Sequence, residues 1–194
     1  MRKLILVKHS VPQTDPNLPA SRWHLSEEGR WRCEVLATRL AVYAPECLVA
    51  STEPKAAETA RIVAQALGKS WRTAEGLHEQ DRRHAGFLNP GEFEAAISRL
   101  FEIPQQLVFG EETADQAHRR FSEAVAEAVQ SCGAGNVAIF AHGTVIALFV
   151  ARAVGLEPFG LWKRLGLPAF VVMSLSDLHV LEIVEGLELL LEQP

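Results

Sequence analysis

The sequence has no apolar run long enough to cross a membrane, and it has no surplus of basic residues. Its 19 lysines and arginines stand against 24 acidic residues, which gives a formal net charge of −5. A nucleic-acid-binding surface needs a clustered basic footprint, and this balance argues against one. We therefore expect neither a membrane nor a nucleic acid as a partner. A small anionic substrate stays compatible, because a few local cations can define a pocket on an acidic protein.

Cysteine is also scarce. The three cysteines, Cys33, Cys47 and Cys132, have neither metal-ligand nor disulfide-like spacing, and their number is odd. This pattern predicts buried or inert thiols in a reducing compartment, and hence a cytoplasmic protein. The apolar segment Leu4–Val7 is too short for the core of a signal peptide. No cluster of residues suggests a metal site, so no metal and no cofactor is expected.

What is present favours one folded domain over residues 1–194. The chain is 48% apolar and 22% charged, which is typical of a globular protein with a sizeable core. Short apolar runs alternate with amphipathic stretches, which predicts a three-layer α/β/α fold around a mostly parallel sheet. The predicted strands are 4–7, 47–50, 137–141, 169–175 and 180–184. The predicted helices follow the caps Ser26, Ser51-Thr52 and Thr113, or cover about 93–101 and 145–154.

Three predicted strands end in polar residues. The first ends in Lys8-His9-Ser10, the second in Ser51-Thr52 with Lys55 just beyond, and a late strand in His142-Gly143-Thr144. Ligands of open α/β sheets bind at the carboxyl ends of the strands, so we expect these groups to converge. Free N–H groups at helix starts, two lysines and two imidazoles would together form an anion pocket that suits a phosphoryl group.

Imidazole can also act as a nucleophile, and Glu79 in the loop after the second helix could supply the acid or base. Each residue alone has an ordinary explanation. A histidine often ends a strand, a lone lysine is usually a solvated surface charge, and Glu79 lies in a charged loop. The hypothesis rests on the conjunction of these groups at successive strand ends.

Five segments in order resemble the motifs of the histidine phosphatase superfamily, which has the phosphoglycerate mutase-like fold. Lys8-His9-Ser10 stands where that family has Arg-His-Gly, and Leu25–Gly29 matches its Leu-Ser/Thr-x-x-Gly turn. Ser51–Ala60 has the spacing of its Ser…Arg-Ala…Thr-Ala motif, with lysine for arginine. Leu77-His78-Glu79 matches a Leu-x-Glu motif, and Ala138–Gly143 is an intact strand-His-Gly motif.

The resemblance implies a role for each matched residue. His9 would attack phosphorus and carry the phosphoryl group, His142 would stabilise charge on the phosphoryl oxygens, and Glu79 would protonate the leaving oxygen and then activate water. The resemblance implies no metal. The implied phosphate-binding residues are Lys8, Ser10, Lys55, His142 and Gly143.

The sequence departs from the family pattern at the phosphate. Both arginines are replaced, by Lys8 and Lys55, and a lysine cannot offer the planar two-pronged contact of a guanidinium. Ser10 replaces a glycine, and its hydroxyl could either crowd the phosphate or donate to it. Asp81 is a rival to Glu79 as the acid. The neighbouring 82–84 stretch, Arg-Arg-His, could replace the lost cations, or it could face solvent and pair with nearby acids.

The resulting hypothesis is a small metal-independent phosphomonoester hydrolase that acts through a phosphohistidine at His9. Its substrate would be a small phosphorylated metabolite or a phosphoprotein, with residues 77–112 as a cap over the site. The alternative is a degenerate member that binds a phosphorylated ligand or protein partner with little or no turnover. A mutase-type phosphotransferase is disfavoured, because 77–112 leaves little room for a closing insertion. The protein would be a monomer, or a homodimer through the leucine-rich segment 187–191.

Overall fold

The computed structural model describes residues 1–187, which form one six-stranded sheet with helices on both faces. The strand order is β3-β2-β4-β1-β5-β6. Neighbouring strands from β3 to β1 are parallel, whereas β5 and β6 are antiparallel to their neighbours, so the sheet is mixed. The strands are β1 (Lys3–Lys8), β2 (Pro45–Ser51), β3 (Trp71–Ala74), β4 (Asn136–Ala141), β5 (Ala169–Ser174) and β6 (Val180–Val184).

The helices are α1 (Glu27–Ala41), α2 (Pro54–Leu67), α3 (Pro90–Glu102), α4 (Ala114–Ser131), α5 (Gly143–Val154) and α6 (Pro158–Arg164), with a 3₁₀ turn at Ala20–Arg22. Alternate residues of β1 enter two different cores. Leu4 and Leu6 pack with residues of α4 and α5, while Ile5 and Val7 pack with residues of α1 and α2. This period of two in a fully buried strand produces the three layers, and the predicted α/β fold is confirmed.

Local signals set most helix starts as expected. The Ser26 hydroxyl accepts from the N–H of Gly29, and the Thr113 hydroxyl accepts from that of Gln116. The expected cap of α2 is wrong. That helix begins at Pro54, whose ring fixes φ and has no N–H, and the residue before it is Glu53. The Ser51 hydroxyl lies instead 2.9 Å from Nε2 of His142.

The sequence pattern does not predict two short elements, β3 and α6. Strand β3 has only four residues and lies at the sheet edge, where its partly exposed side chains give no apolar run. Helix α6 has seven residues, too few for a clear period. Each of them flanks a chain segment that carries residues of the site.

The prediction that all three cysteines are unpaired thiols is wrong. Cys47 on β2 and Cys132 after α4 form a disulfide, and Cys33 is a buried free thiol. The pair is separated by 85 residues in sequence, and only the pairing of β2 with β4 brings the two Cα atoms within 5.9 Å. The cytoplasmic location, which rested partly on free thiols, stays a prediction.

Two further expectations concern the chain surface. Within residues 1–187, none of the helices is long and apolar enough to cross a membrane. Leu187 packs beside the core cluster of α1 and α2. The rest of the leucine-rich segment that could mediate a dimer lies outside the described residues.

Candidate active site

The carboxyl ends of three parallel strands bring the two histidines together. His9 follows β1 and His142 follows β4, and their ring centres lie 5.2 Å apart. The N–H of His9 donates to the carbonyl of Ala141, which locks the two strand ends in register. Ser51 closes β2 beside them. The convergence expected from the topology of parallel strands is therefore present.

The ring of His9 is oriented by its own backbone. Nδ1 lies 2.8 Å from the carbonyl oxygen of Ser10, and a carbonyl only accepts, so Nδ1 carries the proton. Nε2 then holds the lone pair. Burial lowers the pKa of His9 well below its usual value, and the nearby charge of Lys55 and the His142 ring lower it further. A neutral imidazole with a free Nε2 is the form that a nucleophile requires.

His142 is fully buried at the start of α5. Its Nε2 lies 2.9 Å from the Ser51 hydroxyl, and its Nδ1 lies 3.7 Å from a carboxylate oxygen of Glu53. Burial, and then the charge of Lys55, lower the pKa of His142 well below its usual value. Two neutral imidazoles therefore lie side by side, which avoids repulsion between two imidazolium charges.

Lys8 lies close to the start of α5. Its Nζ donates to the carbonyl of Leu165 at 2.6 Å. A Cβ at Gly143 would lie 3.1 Å from Lys8 Cε, so the glycine makes room for the lysine stem. Burial lowers the pKa of Lys8 to about 8, although the charge of Glu79 opposes the shift. Lys8 therefore keeps most of its charge at pH 7 and loses it within about one pH unit above pH 8.

Lys55 has an internal counter-ion that the sequence analysis missed. Its Nζ forms a buried ion pair with the carboxylate of Glu53 and donates to the carbonyl of Ala20 at 2.7 Å. Glu53 also accepts from the N–H of Glu79 at 3.0 Å. The only indication in the sequence is that the carboxylate of Glu53 precedes Lys55 by two residues. Because a helix begins between them, this spacing alone does not predict an ion pair.

Glu79 is fixed by the first turn of α5. Its carboxylate accepts from the N–H groups of Thr144 at 3.2 Å and Val145 at 3.3 Å, and from that of Gln80 at 2.9 Å. Burial alone would raise the pKa of Glu79, but Arg82, His142 and these hydrogen bonds hold it below its usual value. Glu79 is therefore ionised in the resting site, so it can protonate a leaving group only after taking up a proton.

The backbone around Glu79 is held by a residue of α4. The Arg120 guanidinium donates to the carbonyls of Gly76 at 2.7 Å, His78 at 2.9 Å and Glu79 at 3.1 Å. It also pairs with Glu112. Nothing in the sequence distinguishes Arg120 from a surface arginine of an amphipathic helix.

Asp81, the rival acid, has a partner of its own. Its carboxylate receives two hydrogen bonds from Arg83, whose side chain is exposed. His84, also exposed, pairs with Glu111. Arg83 and His84 thus follow the expectation of solvent-facing, paired residues, whereas Arg82 turns inward and lies 3.5 Å from Glu79.

Ser10 does not reach the cavity beside His9. Its side chain is fully buried, its N–H donates to the Thr59 hydroxyl at 3.1 Å, and its carbonyl holds the His9 ring. Its observed contribution is the orientation of His9, and the expected phosphate contact stays a prediction.

A cavity of about 700 Å³ opens over His9, and we call it the main cavity. A smaller one of about 320 Å³, the side cavity, adjoins it. The charged residues that line both are Lys55, Glu79, Arg82 and the exposed Arg83. Lys8, His9 and Gly143 line the main cavity, and aromatic residues from the segment 77–112 and from α6 form much of its wall: Phe87, Phe93, Phe109 and Trp162. Within residues 1–187, no group of three or more histidines, cysteines and acids is arranged for a metal ion.

Comparison with known proteins assigns the class of this α/β protein. The model of the histidine phosphatase superfamily (branch 1) matches residues 5–178. The chain therefore belongs to the histidine phosphatase superfamily, as its motifs suggested. No curated protein sequence matches it significantly.

Solved structures agree with this assignment at the level of the fold. The chain is 21% identical to a mycobacterial glucosyl-3-phosphoglycerate phosphatase, with a TM-score of 0.74 over 94% of this chain and 96% of that one. It is 17% identical to a phosphoserine phosphatase of Entamoeba histolytica, with a TM-score of 0.72 over 95% and 97%. It is 20% identical to YhfR of Bacillus stearothermophilus, with a TM-score of 0.75 over 97% and 98%.

Proposed function

We propose that this chain is a phosphomonoester hydrolase that works through a phosphohistidine at His9 and needs no metal. The observation that carries the proposal is the His9 ring, which is neutral, fixed through Nδ1 and open at Nε2 on the wall of the main cavity. Lys8 and Lys55 bring positive charge to the same space, and Gly143 at the start of α5 lies on its wall.

In the first step, Nε2 of His9 attacks phosphorus. The N–P bond forms while the bond from phosphorus to the alcohol oxygen breaks, and that oxygen must gain a proton as it leaves. Lys8 and Lys55, which line the main cavity, would contribute positive charge to the phosphoryl oxygens, and the neutral His142 ring, fully buried beside His9, would act as a hydrogen-bond donor. Phosphoryl transfer depends largely on such positioning and electrostatic stabilisation.

Glu79 can supply that proton only if its carboxylate takes up a proton when the substrate binds. A bound phosphate places negative charge near a carboxylate that is already ionised, which raises the pKa of Glu79 and favours proton uptake. Once the alcohol has taken the proton, Glu79 is a carboxylate again. In the second step it accepts a proton from water, the water oxygen bonds to phosphorus, and the N–P bond breaks to release phosphate.

The main cavity favours a small molecule over a phosphoprotein. Its volume of about 700 Å³ lies in the range of small-ligand pockets. Aromatic side chains of the segment 77–112 form its outer wall, which supports the role of that segment as a cap. Phe87 is half exposed there, at 52%. These walls fit a carbon-rich alcohol portion better than the charged groups of phosphoserine or phosphoglycerate.

The test is hydrolysis of an aryl phosphate in the presence of EDTA, together with quenching in alkaline detergent to trap enzyme that carries a labelled phosphoryl group. We expect turnover, and an acid-labile, base-stable phosphohistidine that His9→Ala abolishes. His179→Ala is the matched control, because His179 is exposed and remote from the cavity lining. Wild-type activity in the His9→Ala variant would contradict the proposal.

A second candidate is a degenerate member that binds phosphate without turnover. The observation in its favour is that each predicted clamp lysine already has a protein partner, Leu165 for Lys8 and Glu53 for Lys55. This function predicts calorimetric binding of inorganic phosphate, no phosphohistidine in the wild type, and phosphoenzyme formation only after Lys8→Arg and Lys55→Arg are combined.

A further inference from the structure

Arg82 occupies a central place in the site without an assigned role. It follows Glu79 by three residues, and its side chain is only 18% exposed. It lies on the wall shared by the main and side cavities. Its charge lowers the pKa of both Glu53 and Glu79, which places the guanidinium near the two carboxylates of the site.

Aromatic rings fix the guanidinium. Its Cζ atom lies 4.7 Å from the ring centre of Phe93 and 6.0 Å from that of Phe109. Phe93 is itself packed edge-to-face against Trp162 at 5.8 Å. A cation over an aromatic face is attracted by the ring quadrupole, so the planar group is held in place although its loop has no regular structure.

The hydrogen-bonding capacity of Arg82 is far from filled. A guanidinium has five N–H donors. Nη2 faces Glu79 at 3.5 Å, beyond the distance of a strong charge-assisted bond, and Nη1 is buried with no partner at all among the described residues. The carboxylates nearby have closer partners: Asp81 binds Arg83, and Glu112 binds Arg120. A buried donor without an acceptor is costly, and an arriving oxyanion would satisfy it.

The charge balance of the site points the same way. The charged residues that line the main cavity are Lys8, Lys55, Arg82 and Arg83, against Glu79. Lys55 is paired with Glu53 and Arg83 with Asp81, so Lys8 is left to balance Glu79 and Arg82 makes the sum at this cavity positive. Unlike Lys8, whose pKa is about 8, a guanidinium keeps its charge at any physiological pH.

We propose that Arg82 binds the phosphoryl oxygens and supplies the guanidinium contact that neither clamp lysine can make. The inference rests on the proposed phosphoryl-transfer function. It assigns to the loop after Glu79 a phosphate-binding role that the matched motifs do not contain.

The experiment measures the affinity of inorganic phosphate and of orthovanadate by calorimetry in the wild type, Arg82→Gln and Arg82→Lys. We expect Arg82→Gln to weaken phosphate binding about 10- to 100-fold, or about 1.4 to 2.8 kcal/mol, and Arg82→Lys to fall between. Arg99→Gln is the control, since Arg99 is an exposed arginine of α3 that pairs with Glu102. Circular dichroism checks that each variant is folded.

Each alternative result has a distinct meaning. If phosphate affinity is unchanged in Arg82→Gln while the acid limb of the pH profile moves, Arg82 only positions Glu79 and the proposal is wrong. If Arg82→Gln does not fold, Arg82→Lys decides, and wild-type phosphate affinity in that variant refutes a need for the guanidinium. If the wild type forms no phosphohistidine but Arg82→Gln still loses phosphate binding, the hydrolase function fails and the anion-binding role of Arg82 stands.

Discussion

Lys8→Arg should change the pH dependence of this protein more than its activity at any single pH. Burial lowers the pKa of Lys8 to about 8 in the free protein. With that value, about nine-tenths of the molecules carry the Lys8 charge at pH 7 and about one-tenth at pH 9. Phosphate affinity and kcat/KM should therefore fall about tenfold per pH unit above pH 8, because one clamp cation is lost.

The assay is kcat/KM for an aryl phosphate from pH 6 to pH 9.5, paired with calorimetric titration of inorganic phosphate over the same range. Because kcat/KM reports groups of the free enzyme, its alkaline limb should show the pKa of Lys8 directly. Lys8→Arg should remove that limb, since a guanidinium does not titrate there. Lys69→Arg, at an exposed position, should leave it in place.

The same shift predicts a cost in stability with a definite sign. The unfolded chain binds the Lys8 proton up to its ordinary pKa of 10.5, whereas the folded chain releases it near 8. The free energy of unfolding should thus rise as the pH rises between these values, by up to about 3 kcal/mol. Lys8→Met should be more stable than the wild type at pH 7 by up to that amount. An alkaline limb that persists in Lys8→Arg, with no stability gain in Lys8→Met, would refute the reasoning.

Two further predictions concern the supports of the site. Arg120→Met removes the donors to three carbonyls around Glu79 and leaves Glu112 unpaired, so urea unfolding should show a loss of about 3 kcal/mol and kcat should fall with it; full activity would contradict the supporting role. Replacing both Cys47 and Cys132 by serine opens a loop of 85 residues and should lower the free energy of unfolding by about 3 to 5 kcal/mol, whereas a reductant should destabilise the wild type alone.

The parts of the site that the sequence predicted are those fixed by strand topology. His9 and His142 directly follow buried apolar runs, and parallel strands side by side must bring such residues to one edge. The apolar pattern of the two strands, and the position of each histidine directly after its strand, are enough to predict that the histidines meet. The same reasoning placed Lys8 and Lys55 beside them, and both lie on the main cavity.

The parts that it left open, such as Arg82, or missed, such as Glu53, depend on packing between distant segments. Arg82 turns inward because Phe93 of α3 and Phe109 of the next loop lie beneath it, while its neighbour Arg83 remains exposed. Two adjacent arginines in a polar loop carry no local signal that separates these outcomes. Glu53 was missed for a related reason, since a carboxylate beside a helix start is ordinarily solvated and only here is shielded by the loop that carries Glu79.

The charge arrangement bears on how Lys8 and Lys55 could hold a phosphate. Phosphate that enters this site must compete with Glu53 for Lys55 and with the Leu165 carbonyl for Lys8. Displacing these partners lowers the affinity of the site for phosphate. The site should therefore bind phosphate weakly unless another cation compensates. Arg82 has a fixed guanidinium and an unfilled buried donor, which makes it the group best suited to compensate.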